Sequence, residues 1–315
     1  MTAGAPLRVL MLGCGVAART HSKILRKHDG VELSFASRDG ARAEAYRKEF
    51  GGTTSFDSYE RALASDVDVA VVATPTYNHK ALTLQSLLAG RHVVVEKPAF
   101  MHSADAREVG EVAARAGKQV MVAENYFYKP VAEILRELIA SGRLGEIRFI
   151  TMNAVKRQRA SGWRTDPTLA GGAALFEGGV HWVSFANNLG LDVKSVRGFA
   201  TGGANSSLLV FTYANGAVGT LAYSWEIAAP LGGMRVSRIH GTEGSVTFES
   251  NGLAMYVSGK KRSARLPGLR DPLGYSAMWV DFVQALRSGK PPRFTLPMAQ
   301  RDLELLEEAA ATMSV

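Results

Sequence analysis

Between residues 7 and 125, short unbroken apolar runs rich in β-branched residues alternate with stretches of helical spacing. The runs are Leu7 to Leu12, Val31 to Ala36, Val67 to Ala73, His92 to Val95 and Gln119 to Ala123, and segments such as Ala41 to Phe50 lie between them. Strands with one wet face alternate apolar and polar residues, whereas unbroken runs belong to strands covered on both faces by crossover helices. The pattern predicts a parallel, doubly wound α/β sheet.

After about residue 145 the texture changes to strand-like stretches punctuated by Gly and Asn. These are Ile147 to Val155, Ser207 to Tyr213, Val218 to Glu226, Val236 to His240, Ser245 to Glu249 and Leu253 to Val257. Asn215-Gly216, Glu243-Gly244 and Asn251-Gly252 stand between successive runs and predict antiparallel hairpins. A helix over Gly172 to Leu189 interrupts this region, and helices over Gly274 to Arg287 and Pro297 to Thr312 close the chain. The predicted division is residues 1–125 and 126–315, with the C-terminal helix able to pack back on the first part.

The first strand runs into Gly13-Cys14-Gly15-Val16-Ala17-Ala18, a G-x-G-x-x-A turn that opens a helix. The first glycine permits the tight turn, the second lets the backbone approach a pyrophosphate, and the third position must be small for helix to meet strand. Amides at the helix start then face the phosphate, which predicts a dinucleotide site. The second strand ends in Ser37-Arg38, where an acidic residue would bind both ribose hydroxyls and repel a 2′-phosphate. The pair predicts NADP(H) over NAD(H), with Arg38 as a charge-assisted donor. The alternative takes Asp39 as the ribose acid, one register step later, and keeps NAD(H) open.

Two further stretches carry a family likeness: His-Val-Val-Val-Glu-Lys-Pro at 92 to 98, and Gly162-Trp163-Arg164-Thr165-Asp166-Pro167 through Gly171-Gly172 to Glu177 and His181. With Thr74-Pro75-Thr76-Tyr77-Asn78-His79 and Gly142-Arg143-Leu144-Gly145-Glu146-Ile147, the chain resembles the glucose-fructose oxidoreductase, inositol dehydrogenase and rhizopine catabolism (Gfo/Idh/MocA) family over nearly its whole length. The resemblance implies a Rossmann domain followed by an α+β domain with an open-faced, mostly antiparallel sheet. It also implies a nicotinamide cofactor, and a sugar, cyclitol or keto-sugar substrate between the two domains. The lysine of Glu-Lys-Pro, Lys97, and the histidine after the glycine-rich stretch, His181, are by this likeness the catalytic pair. Glu177 stands where the family usually has aspartate, and Ser184 where a second aspartate often follows.

By the same likeness Thr74, Pro75, Asn78, His79, Glu96, Lys97 and Asn125 join Gly13, Gly15, Val16, Ala17, Ser37 and Arg38 as cofactor-binding candidates. Tyr126, Tyr128, Lys156, Trp163, Arg164 and Asp166, with His181, are substrate-binding candidates, and core packing is the alternative for the tyrosines. Oxidising a carbinol moves a hydride to nicotinamide while a proton leaves the hydroxyl, so a base must reach that oxygen. His181 suits that task, Lys97 can stabilise developing alkoxide charge, and Glu177, four residues before His181, can orient the imidazole. Relatives that keep their nucleotide and act as glycosidases or lyases by transient oxidation, and non-catalytic cofactor sensors, are the alternative functions. No residue grouping has metal-ligand spacing.

Composition narrows the picture further. The 315 residues are 46% hydrophobic and 21% charged, an ordinary globular balance that excludes disordered and fibrous classes. A single cysteine excludes a disulfide framework and fits a reducing compartment, the cytoplasm. The run Leu7 to Ala18 contains Arg8 and is too short to span a bilayer. The net charge of +8 is skewed: 16 basic against 14 acidic residues up to position 125, then 21 against 15. The basic excess clusters at Lys156, Arg157, Arg159 and Arg164 and at Lys260, Lys261, Arg262, Arg265 and Arg270, without an aromatic ladder or a nucleic-acid module. The expected partners are a small-molecule substrate and further copies of the chain in a homodimer or homotetramer, with no nucleic acid and no membrane.

Overall fold

A computed structural model describes residues 5–166, 169, 174–202, 205–229 and 233–313; the side chain of Arg164 is outside that description. The chain separates into two compact units, one of residues 1–123 with 278–300 and the other of 124–277 with 301–315.

The first unit holds a six-stranded sheet in the order β3-β2-β1-β4-β5-β6. Its strands are β1 (Leu7–Leu12), β2 (Val31–Ala36), β3 (Thr54–Phe56), β4 (Val69–Val72), β5 (His92–Val95) and β6 (Val120–Val122). Every pairing is parallel, from β1 on β2 to β5 on β6. The helices α1 (Val16–Leu25), α2 (Gly40–Phe50), α3 (Tyr59–Leu63), α4 (His79–Leu88) and α5 (Ser103–Ala116) connect the strands. The order reverses between β1 and β4, and ligands of such sheets bind beyond the carboxyl ends of strands at that switch point. Val9 to Leu12 and Val69 to Val72 are all buried, as their unbroken apolar runs require. The short strand β3 had no counterpart in the sequence pattern, because its three residues, Thr-Ser-Phe, show no periodicity.

The second unit begins at Glu124 and contains α6 (Pro130–Ala140), β7 (Ile147–Val155), α7 (Val180–Asn187) and β8 (Val193–Ala200). It continues through β9 (Ser206–Tyr213), β10 (Val218–Ser224), β11 (Val236–Gly241), β12 (Gly244–Glu249), β13 (Met255–Gly259) and β14 (Ser263–Arg265). The helices α8 (Tyr275–Ser288) and α9 (Leu296–Ala311) end the chain. The strands form one sheet in the order β14-β13-β12-β11-β7-β10-β9-β8, antiparallel except for β7 on β10. All three predicted hairpins are present, pairing β9 with β10, β11 with β12 and β12 with β13. The helix expected over 172–189 differs: residues 170–173 lie outside the description, Leu175–Gly179 is a π-helical turn, and regular α-helix starts at Val180. One sheet face is exposed and carries Phe149, Val218, Leu208 and Phe199, with Phe149 opposite Val218 and Leu208 opposite Phe199.

Candidate active site

The glycine turn has the geometry a phosphate needs. Gly13 has φ +102°, and a Cβ there would sit 2.6 Å from the Ala73 carbonyl oxygen, so only glycine lets β1 and β4 approach this closely. Gly15 is the N-cap of α1, makes no side-chain cap bond and has open space where a Cβ would be. No acidic residue occupies the first turn of α1, and Val16 is 82% exposed. The helix therefore presents unsatisfied amides and the positive end of its dipole to whatever lies beyond Gly15. Beside the turn, the buried hydroxyl of Thr74 has no hydrogen-bond partner. An anionic group held by amides, next to an orphaned hydroxyl, fits the pyrophosphate of a dinucleotide. Cys14 is buried, its thiol pointing at the Ala36 carbonyl, and burial pushes its pKa up to about 12, so it is no nucleophile.

At the end of β2, Ser37 is buried and its hydroxyl accepts from the Asp39 amide at 3.2 Å. Asp39 caps α2, accepting from the Arg42 amide at 3.2 Å, and its carboxylate lies 3.9 Å from the Arg42 guanidinium. Arg38 is exposed beside this cap. The carboxylate proposed as an alternative ribose ligand thus already has a structural task.

The loop after β5 is built on a buried polar relay. Glu96 Oε1 lies 2.6 Å from Nε2 of His21, on α1, and Glu96 Oε2 accepts from the Lys97 amide at 3.0 Å. The Trp279 indole N–H donates to His21 Nδ1 at 3.0 Å. An indole only donates, so Nδ1 is the acceptor and the His21 proton sits on Nε2, facing the carboxylate. Burial raises the pKa of Glu96, but the His21 hydrogen bond and the nearby charge of Lys97 outweigh it and bring the pKa to about 2. Both Glu96 oxygens thus hold the loop together from a buried position. The Lys97-Pro98 peptide bond is cis, and Lys97 is half-buried.

His79 departs from expectation. It is fully enclosed, with Nδ1 2.9 Å from the Pro98 oxygen and Nε2 2.8 Å from the Thr74 oxygen, and burial lowers its pKa against the pull of those carbonyls. Its ring ties two loops together and has no nitrogen left for a cofactor. Pro75 precedes and Asn78 ends the single turn Thr76–Asn78, both half-buried, and Ala17 is half-buried in the first turn of α1.

In the second unit the arrangement centres on His181, in the first turn of α7. Its Nδ1 is 2.7 Å from Glu124 Oε1, and the Tyr126 ring stacks on the imidazole with centroids 4.3 Å apart and 13° between planes. A carboxylate accepts, so Nδ1 carries a proton and Nε2 is the nitrogen that gains or releases one. The same Glu124 oxygen accepts from the Tyr126 amide at 3.0 Å, which fixes carboxylate and aromatic ring together. Glu177, expected to orient His181 from the same helix face, is buried in the π-helical turn, and the carboxylate found at Nδ1 is Glu124. Sequence reasoning missed Glu124; its one signal was its place just beyond a carboxyl end of the parallel sheet, where binding groups collect.

The other candidates divide. Tyr128 is 1% exposed and packs edge-on against Phe127, so it belongs to the core. Asn125 is buried and donates to the Leu273 carbonyl at 2.6 Å. Lys156 is half-buried with its ammonium 6.0 Å from the Trp225 ring centroid, Trp163 is half-buried, and Asp166 is exposed. No cluster of metal-ligating residues occurs among the described residues, and no helix there is long and apolar enough to cross a membrane.

The profile of an oxidoreductase family with an NAD-binding Rossmann fold matches residues 7–124, and that of the GFO/IDH/MocA C-terminal domain matches 133–247. D-glucoside 3-dehydrogenase of Escherichia coli is 32% identical over 186 residues, which is 58% of this chain and 53% of that protein. Trans-1,2-dihydrobenzene-1,2-diol dehydrogenase of Bos taurus is 25% identical over 315 residues, covering 94% of this chain and 92% of its own. Among solved structures, the aldose-aldose oxidoreductase of Caulobacter crescentus complexed with glycerol superposes with a TM-score of 0.87 at 20% identity. That superposition covers 98% of this chain and 97% of the other and bears on the fold.

Proposed function

Since the chain belongs to the Gfo/Idh/MocA oxidoreductase family, we propose that it is an NADP(H)-dependent oxidoreductase interconverting a carbinol and a ketone on a sugar, cyclitol or keto-sugar. The observation that carries the reading is the Glu124–His181 pair, an imidazole whose Nδ1 is held by a carboxylate so that Nε2 can exchange a proton. The E. coli relative's name, a dehydrogenase of D-glucosides, supports the substrate class.

When bound, the nicotinamide supplies or accepts the hydride. Gly13, Gly15, the first amides of α1 and Thr74 would hold its pyrophosphate, and Arg38 with Ser37 a 2′-phosphate. His181 Nε2 takes the hydroxyl proton in oxidation and returns it in reduction. Glu124 keeps the proton on Nδ1 and stabilises the imidazolium. Lys97 offsets negative charge building on the substrate oxygen, its backbone fixed by Glu96. General acid–base catalysis of this kind contributes about a hundred- to ten-thousandfold. The apolar face bearing Phe149, Val218, Leu208 and Phe199 supports a homodimer or homotetramer, with this face covered by a second copy.

The test is a fluorescence titration of NADPH against NADH, followed by a panel of keto-sugars and glycosides with Lys97→Ala and His181→Ala. Preference for NADPH, and loss of turnover with cofactor binding retained, is the expected result; NADH preference would refute the role of Arg38, and full turnover in either variant the catalytic assignment. Light scattering on the purified chain tests the oligomer.

A further inference from the structure

Behind the His181 stack lies a charge that the proposed reaction does not use. Lys129, at the N-terminus of α6, is 1% exposed and makes no ion pair among the described residues. Its ammonium sits 3.9 Å from the centroid of the Tyr126 ring. The His181 imidazole lies nearly flat on that ring, 4.3 Å from the same centroid. Tyr126 thus touches both groups, the ammonium and the imidazole each lying within 4.3 Å of its ring centroid. By these distances the ammonium and the imidazole are within about 8 Å of each other.

An ammonium over an aromatic face is attracted to the ring quadrupole, and when desolvated the attraction reaches the upper part of its range. Here it fixes the plane against which His181 lies. The charge also acts beyond the ring, since a positive group opposes a second positive charge forming nearby. We propose that Lys129 is a positioning residue for the reaction: through Tyr126 it holds the His181 imidazole in plane and lowers the affinity of Nε2 for its proton. This rests on the reading of His181 as the acid/base.

The surroundings are consistent with a lysine that remains charged yet is poised to titrate. Burial lowers its pKa, Glu249 at the end of β12 and Glu124 raise it, Arg235 before β11 lowers it, and the balance is about 8. Facing His181 are Glu124 and Tyr126, with Glu177 on the preceding turn; Asp302 of α9 lies near Glu124. Those groups are common to every variant of Lys129, so a difference between variants isolates the lysine.

The experiment follows the His181 ring resonances by NMR over a pH series in full-length protein labelled at histidine, the signal assigned by its loss in His181→Gln. A unit charge at that separation and an effective dielectric near 20 shifts a neighbour by roughly one and a half pH units. Lys129→Met should therefore raise the His181 pKa by roughly one and a half units, while Lys129→Arg, which keeps the charge, should leave it near the parent value. An unchanged value in Lys129→Met, or an equal rise in Lys129→Arg, overturns the proposal. Should Lys129→Met not fold, the parent protein decides: a second inflection of the His181 resonances near pH 8 supports the coupling, and its absence refutes it. The acid limb of kcat/KM should move with the His181 pKa. If the pKa moves and that limb does not, Lys129 is coupled to His181 as proposed, but His181 is not the acid/base.

Discussion

Each unit buries a carboxylate against an imidazole at nearly the same distance, Glu96 with His21 at 2.6 Å and Glu124 with His181 at 2.7 Å, yet the surroundings give the pairs different work. The His21 side chain is wholly enclosed and both its nitrogens are engaged, by Glu96 and Trp279, whereas the His181 side chain is 13% exposed with an aromatic ring on its face. A wholly enclosed histidine with both nitrogens bonded is a structural element; one that keeps part of its side chain at the surface can exchange protons. Distance alone does not separate the two, and enclosure does.

The buried carboxylates themselves differ in the same way. Glu96 faces an imidazole and the charge of Lys97 and is brought down to about 2. Asp302 on α9 is pushed up to about 7, because burial dominates and the groups bonding to it, Ser184, Asn187 and Asn188, are neutral, with Glu124 adding repulsion. Equal burial gives opposite shifts when the compensating partner carries charge in one case and none in the other.

The largest expected difference between the pairs is in rate. His181→Ala should lower kcat by about a hundred- to ten-thousandfold, beyond any loss of stability from leaving Glu124 without its imidazole, while His21→Ala should act through stability. Removing His21 leaves Glu96 buried without its partner and the Trp279 N–H orphaned, a loss of roughly 3 to 5 kcal/mol visible in denaturant unfolding. If His21→Ala unfolded like the parent protein, the relay would be incidental.

Next comes pH. A carboxylate with a depressed folded pKa stabilises the fold above its unfolded value of 4.5, and that contribution is lost as pH falls toward about 2. For Asp302 the sign reverses: its folded pKa lies above the unfolded value of 3.8, so stability is highest below that value and declines as pH rises through about 7. Asp302→Asn should abolish that decline, leaving the variant more stable than the parent at pH 8 by about 2 kcal/mol, and Glu96→Gln should flatten the acid side only. Stability curves from pH 2 to 9 check both slopes. The smallest effect is expected from Trp279→Phe, which leaves the His21 acceptor unpaired and should cost about 1 to 2 kcal/mol without altering kcat.

These contrasts also show where sequence reading works. The five apolar runs of the first unit and the three hairpins of the second were legible because each depends on local periodicity or on a two-residue turn. The phosphate turn was legible for the same reason, since its glycines act within a few residues of one another. His79 and Tyr128 were misjudged because a polar or aromatic residue near a strand end reads the same whether it faces a ligand or the core. Glu177 was favoured over Glu124 because a spacing of four on a helix is visible along a chain, and a contact between residues 57 positions apart is not.

The amino-acid sequence by itself determined the two kinds of sheet, their connecting turns, the amide-lined phosphate loop and the presence of a lysine and a histidine suited to hydride-transfer chemistry. The tertiary structure decided which carboxylate meets which imidazole, that Trp279 closes the His21 relay from 258 residues away, and that Lys129 and His181 meet on one ring, Tyr126. The reason is physical: backbone geometry repeats over two to four residues and so imprints its pattern on the chain, while the protonation of a buried group depends on whatever charges other elements bring beside it.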